Sequence, residues 1–187
     1  MKIVGVTGSS GAGKSTVCKV LEKKYDAEII DADKVAKDLS KKGTMYLKSI
    51  INCFGDEIID KEGELNRKKL ADIIYTSDKK REELNKLTFI YVVDEIKKRV
   101  NKLTAKKVIV IDAPLLYESK LNQICDFVIA VVADQEIKIN RIMQRDNITK
   151  EEAEKRLRAQ ATNEFFIENA EHVIYNNDDI SKIEEKL

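Results

Sequence analysis

The chain has 187 residues, 36% of them charged and 43% hydrophobic, values that suit a folded globular protein and exclude fibrous and intrinsically disordered classes. Lys and Arg number 34 against 33 Asp and Glu, a formal net charge of +1, so there is no global basic field to attract nucleic acid or an anionic membrane, and any anion site must be local. Cys18, Cys53 and Cys125 are too widely spaced for a disulfide framework or a zinc knuckle, which points to a reducing, cytoplasmic location. No run approaches the roughly 20 apolar residues of a membrane span.

In chain order, the first element is a short apolar strand over residues 2–7, followed by a glycine-rich loop and a helix over 14–25. A second strand over 27–31 leads into a helix over 32–40. The next β-rich run comes only at 107–112, and the gap far exceeds the roughly 10–12 residues of a minimal crossover. That excess predicts an inserted helical subdomain, with helices over 46–54, 66–75 and about 79–103, and with Asn66 and Ser77 or Asp78 as N-caps. Strands over 127–132 and 173–175 follow, with helices over 134–145, from the Thr149 capping box to about Gln160, and over 179–187. Alternating strands and helices define an α/β class with a five-stranded parallel sheet covered on both faces.

Three segments carry chemistry. Gly8-Ser9-Ser10-Gly11-Ala12-Gly13-Lys14-Ser15 satisfies the pattern G-x-x-x-x-G-K-S/T between a strand and a helix, the context that makes it a P-loop. Its glycines let successive backbone N–H groups wrap phosphate oxygens, the helix start adds its positive dipole end, Lys14 reaches the β- and γ-phosphates, and Ser15 is placed to hold Mg²⁺. Gly8, Gly11, Ala12, Gly13, Lys14, Ser15 and Thr16 form the expected nucleotide site. Asp112 ends the third strand, where a carboxylate contacts Mg²⁺ directly or through water, although such an acid also caps turns. Asp31 and Asp33 stand at the carboxyl end of the second strand, where open α/β sheets bind ligands. Either can serve a phosphoryl transfer, and either can cap the following helix.

Arg141 and Arg145 are four apart and project from one helix face, with Arg156 and Arg158 in the next helix. Guanidinium forks suit phosphate oxygens, and a solvated face is the other reading. The lone His172 and the aromatic pairs at Phe165-Phe166 and Phe89–Tyr91 read as packing or surface residues.

The ordered set of these motifs resembles the dephospho-CoA kinases. Its members are Gly5-Val-Thr-Gly8 running into the P-loop, Asp31-Ala-Asp33, Phe54-Gly55 with Gly63-Glu-Leu-Asn-Arg67, Asp112-Ala-Pro-Leu-Leu-Tyr-Glu118, Arg141 with Arg145-Asp146, Arg156 to Gln160, and Asn176-Asn177. The resemblance covers nearly the whole chain. It implies a P-loop NTPase three-layer sandwich, with a core over 1–40 and 105–187, a substrate-binding insertion over about 41–104 and a helical lid over about 141–160. It further implies ATP with Mg²⁺, and phosphorylation of the ribose 3′-hydroxyl of dephospho-CoA to give coenzyme A, the last step of its biosynthesis. In residue terms it implies Asp33 as the base, Lys14 on the phosphates, Arg141 as a lid arginine, Ser15, Asp31 and Asp112 around the metal, and Asn176 near the adenine. Where the family usually shows an arginine and then Pro-Gly, this chain has Lys37 and Lys42-Gly43, and Thr88-Phe89 replaces a His-Pro. A monomer or weak homo-oligomer is expected. The alternatives are another P-loop nucleoside or nucleotide kinase, and a GTP-binding switch. Against the switch, Asn85-Lys86-Leu87-Thr88 lacks the acid that reads guanine.

Overall fold

The computed structural model describes residues 1–177 together with Ile183 and Glu185. Its strands are β1 (Lys2–Thr7), β2 (Glu28–Asp31), β3 (Val108–Asp112), β4 (Phe127–Val132) and β5 (His172–Tyr175). Its helices are α1 (Lys14–Tyr25), α2 (Ala32–Leu39), α3 (Met45–Phe54), α4 (Arg67–Tyr75), α5 (Asp78–Lys102), α6 (Gln135–Asp146), α7 (Lys150–Arg158) and α8 (Asn163–Asn169). Two compact units result, one of Met1–Ile30 with the residues from Leu103 onward, the other of Asp31–Lys102.

In the first unit the strand order is β2-β3-β1-β4-β5. Val4 lies opposite Val110 on one side and Phe127 on the other, and Ile129 lies opposite His172, all in parallel register. The strands are nearly unbroken apolar runs because both faces are buried. On β4, Ile129 and Val131 share a core with Val17, Val20 and Leu21 of α1. Ala130 and Val132, pointing the other way, pack with Phe166 of α8. Ile183 is buried in the α1 core; the rest of the helix expected over 179–187, Glu185 excepted, lies outside the described residues.

The second unit holds α2 to α5. Tyr46, Ile50, Ile58 and Leu70 form its core, with Leu84, Leu87 and Tyr91 of α5 packed against them. Thr44 and Asn66 cap α3 and α4 through their side-chain oxygens, and Ser77 Oγ accepts from the Lys80 N–H at the start of α5. This unit begins at Asp31, so α2 belongs to it.

Element ends differ from expectation by one or two residues. Asp26 in the left-handed conformation delays β2 to Glu28, and β5 gains His172 through its pairing with Ile129. Asn147, also left-handed, ends α6, and α7 stops at Arg158. The seven-residue α8 and two single-turn helices, Asp56–Ile58 and Leu121–Ile124, are too short to show a period in the sequence.

Candidate active site

The loop between β1 and α1 is shaped by its glycines and held by donors from α6 and from the segment after β5. Gly11 has φ +77°, and a Cβ there would lie 2.6 Å from the Lys138 carbonyl oxygen. Gly13, at φ +93°, is the left-handed N-cap of α1, and a Cβ there would run into Asn176 Nδ2. Both positions require glycine for conformation and for space. Three of the loop's backbone oxygens, which would repel an anion, are occupied by side-chain donors. Lys14 Nζ donates to Gly8 O at 2.9 Å, Arg141 Nη1 to Gly11 O at 3.2 Å and Ala12 O at 3.5 Å, and Asn176 Nδ2 to Ala12 O at 2.7 Å. With these three carbonyls engaged by the protein, the loop is organised for anion binding by its N–H groups.

Arg141 and Arg145 share one helix face, as their spacing predicts, and both reach the loop. Arg145 Nη2 donates to Ser10 Oγ at 3.2 Å, and the Ser10 N–H donates to Gln160 Oε1 at 2.8 Å. Arg145 also forks onto Asp146 at 2.8 and 2.9 Å, and Arg156 bonds the same carboxylate. Hydrogen bonds from Arg145, reinforced by the charge of Arg156, hold the Asp146 carboxyl below the usual carboxylate range. The Thr149 and Glu152 capping box fixes the start of α7, and Ile139, Ile142 and Ala153 bury the junction of the two helices. Among the described residues Arg158 reaches Glu154.

Ser15 is exposed in the first turn of α1. Asp112 is in register with Val6, beside the end of β1; its Oδ1 is buried and takes no hydrogen bond, while the residue makes other interactions. In the second unit, Asp31 is the N-cap of α2, its Oδ1 accepting from the Lys34 N–H at 2.9 Å, and Asp33 is exposed in the first turn. Of the two aspartates, Asp31 is therefore the capping one. Among the described residues no group of three or more His, Cys, Asp or Glu forms a metal cluster. Asn176 is 5% exposed, and its amide is spent on the Ala12 carbonyl.

Two of the residues that depart from the family motifs are held by neighbours. Thr88 and the Tyr46 hydroxyl are 2.6 Å apart, and Lys42 bonds the Glu62 carbonyl through Nζ and Glu64 through its backbone N–H. Lys138 and Asn163 beside the loop escaped sequence reasoning, because a lysine on an amphipathic helix reads as solvated and no motif includes either residue.

A parallel sheet with this loop between its central strand and α1 defines the P-loop nucleotide-binding class. The dephospho-CoA kinase family model matches residues 2–182. The chain belongs to the dephospho-CoA kinase family. It is 41% identical to a dephospho-CoA kinase of Fusobacterium nucleatum over 99% of this chain and 94% of that protein. It is 38% identical to one from Arabidopsis thaliana over 100% of this chain and 81% of the other. Among solved structures, a dephospho-CoA kinase from Campylobacter jejuni superposes with a TM-score of 0.70 at 26% identity, covering 100% of this chain and 94% of that one. Among the described residues no helix is long and apolar enough to cross a membrane.

Proposed function

We propose that this chain transfers the γ-phosphoryl group of ATP to the ribose 3′-hydroxyl of dephospho-CoA, giving coenzyme A and ADP, in the cytoplasm. One observation carries the reading: the family match runs over residues 2–182, so it takes in Asp31–Lys102 as well as the phosphate loop that many kinases share. The second unit would then be the acceptor-binding insertion.

In this mechanism the loop from Gly8 to Thr16 binds the triphosphate, its carbonyls held by Arg141 and Asn176. Lys14 neutralises charge on the β- and γ-oxygens. Asp33 accepts the proton of the 3′-hydroxyl as that oxygen attacks the γ-phosphorus, and the bond from phosphorus to the β,γ-bridging oxygen breaks to release ADP. Arg141 stabilises the charge on the transferring group. Ser15 and Asp112, with Asp31, offer hard oxygen donors of the kind that Mg²⁺ takes alongside substrate phosphates. Mg²⁺ would supply charge neutralisation on the β- and γ-phosphates. α6 and α7, joined at Asp146 and Asn147, would act as the lid that excludes water, which otherwise competes with the ribose hydroxyl.

The test is ADP release with dephospho-CoA, adenosine, AMP and uridine offered as competing acceptors. Preference for dephospho-CoA supports the reading, and preference for a nucleoside or nucleotide moves the chain to another kinase activity.

A further inference from the structure

Lys138 on α6 is 7% exposed, yet it carries an ammonium group. Its Nζ donates to Ser9 Oγ at 3.3 Å and to Asn163 Oδ1 at 2.9 Å. Ser9 is itself 3% exposed, and Asn163 donates from Nδ2 to Ala133 O at 3.0 Å, which fixes its oxygen toward the lysine. Both hydrogen-bonding partners of the ammonium are thus neutral. Glu164 and Asp134 favour the charge from farther away, but burial outweighs them and lowers the lysine's pKa. A buried cation with neutral partners is unfavourable by itself. Its backbone carbonyl also borders Gly11, so this cost falls directly behind the phosphate loop.

We propose that Lys138 is a positioning residue for polyphosphate: it holds Ser9 and places a second positive charge, in addition to Lys14, behind the loop that receives the anion. A bound polyphosphate supplies the negative charge that its hydrogen-bonding partners lack. This inference rests on the reading of Gly8 to Ser15 as the phosphate loop. It also accounts for the polar choice at Ser9, whose hydroxyl is the acceptor that links loop and lysine.

The test titrates the wild type, Lys138→Met, Lys138→Gln and Asn163→Ala with inorganic tripolyphosphate by calorimetry at two salt concentrations, with thermal unfolding as the folding control. Met matches the stem without the charge, and Gln keeps hydrogen-bonding capacity without it. Both variants should fold and bind tripolyphosphate about tenfold or more weakly, on the scale of one charge-assisted interaction. Their salt dependence should be shallower, and the KM for ATP should rise while the KM for dephospho-CoA stays unchanged. Asn163→Ala, which loosens the lysine without removing its charge, should weaken binding less than either Lys138 variant. Folded Lys138→Met and Lys138→Gln with wild-type tripolyphosphate affinity would overturn the inference and leave the P-loop reading intact. A wild type that binds neither tripolyphosphate nor ATP would overturn both.

Discussion

Asn176 reaches back across 164 residues of sequence to donate from Nδ2 to the carbonyl oxygen of Ala12 at 2.7 Å, and both residues are buried. The segment after β5 thereby holds the phosphate loop from behind. Asn176→Leu removes the donor and weakens the hold on a buried carbonyl, with an expected loss of about 1–3 kcal/mol in stability. ATP binding should weaken and dephospho-CoA binding should not, as urea unfolding and calorimetry on each substrate would show.

In the proposed mechanism Lys14→Ala removes a phosphate ligand and leaves the core intact, since α1 packs through Val17, Val20 and Leu21 farther along the helix. Turnover should fall by about 10²–10³ with the unfolding transition retained, by analogy with other electrostatic donors. Near-normal turnover in a folded variant would contradict the assignment of the loop.

Asp33→Asn should remove proton acceptance and leave ATP affinity largely intact. Asp31 caps α2, and asparagine caps as well as aspartate, so Asp31→Asn should be milder, whereas Asp31→Ala should lose about 1 kcal/mol of stability. Equal collapse of ATP·Mg²⁺ affinity in both asparagine variants would make Asp33 a metal ligand instead of the base.

Arg141→Ala should lower kcat by about 10³ or more, the range of an arginine acting on a transferring phosphoryl group, with a smaller rise in the KM for ATP. Arg145→Ala should do less, because Arg145 is already committed to Asp146. Steady-state kinetics of the pair separates the two roles.

Acid should loosen the junction of α6 and α7. The Asp146 carboxyl has a lowered pKa in the folded state, first through hydrogen bonds from Arg145 and then through the charge of Arg156. A depressed carboxylate contributes stability that is complete above its unfolded pKa of about 4 and is lost as pH falls through the folded value. Asp146→Asn should remove that contribution, so the stability difference between wild type and variant should shrink as pH drops below about 4. Hydrogen exchange of residues 141–160 at several pH values follows this directly.

The phosphate loop, the parallel sheet and the helical second unit were legible because each has a local signature: a spaced glycine and lysine pattern, apolar runs, and N-caps at Asn66 and Ser77. The spacing of four put Arg141 and Arg145 on one helix face, but did not show that this face meets the loop at Gly11, Ala12 and Ser10. What the sequence concealed depends on distant partners. Nothing near Asn176 announces that its amide meets Ala12, and the placement previously implied by resemblance, near adenine, concerns a different neighbour. Lys138 looks like any surface lysine until Ser9 and Asn163 close over it. α8 was hidden for another reason, since its seven residues fall just short of two helical turns.

The most direct measurement is the identity of the phosphorylated product. Incubation with ATP, Mg²⁺ and dephospho-CoA, followed by mass spectrometry and phosphorus NMR, should show one phosphoryl group added as a monoester on the ribose 3′-oxygen, with one ADP formed per product. ADP formed without a phosphorylated acceptor, or a phosphoryl group on any other oxygen, would contradict the account.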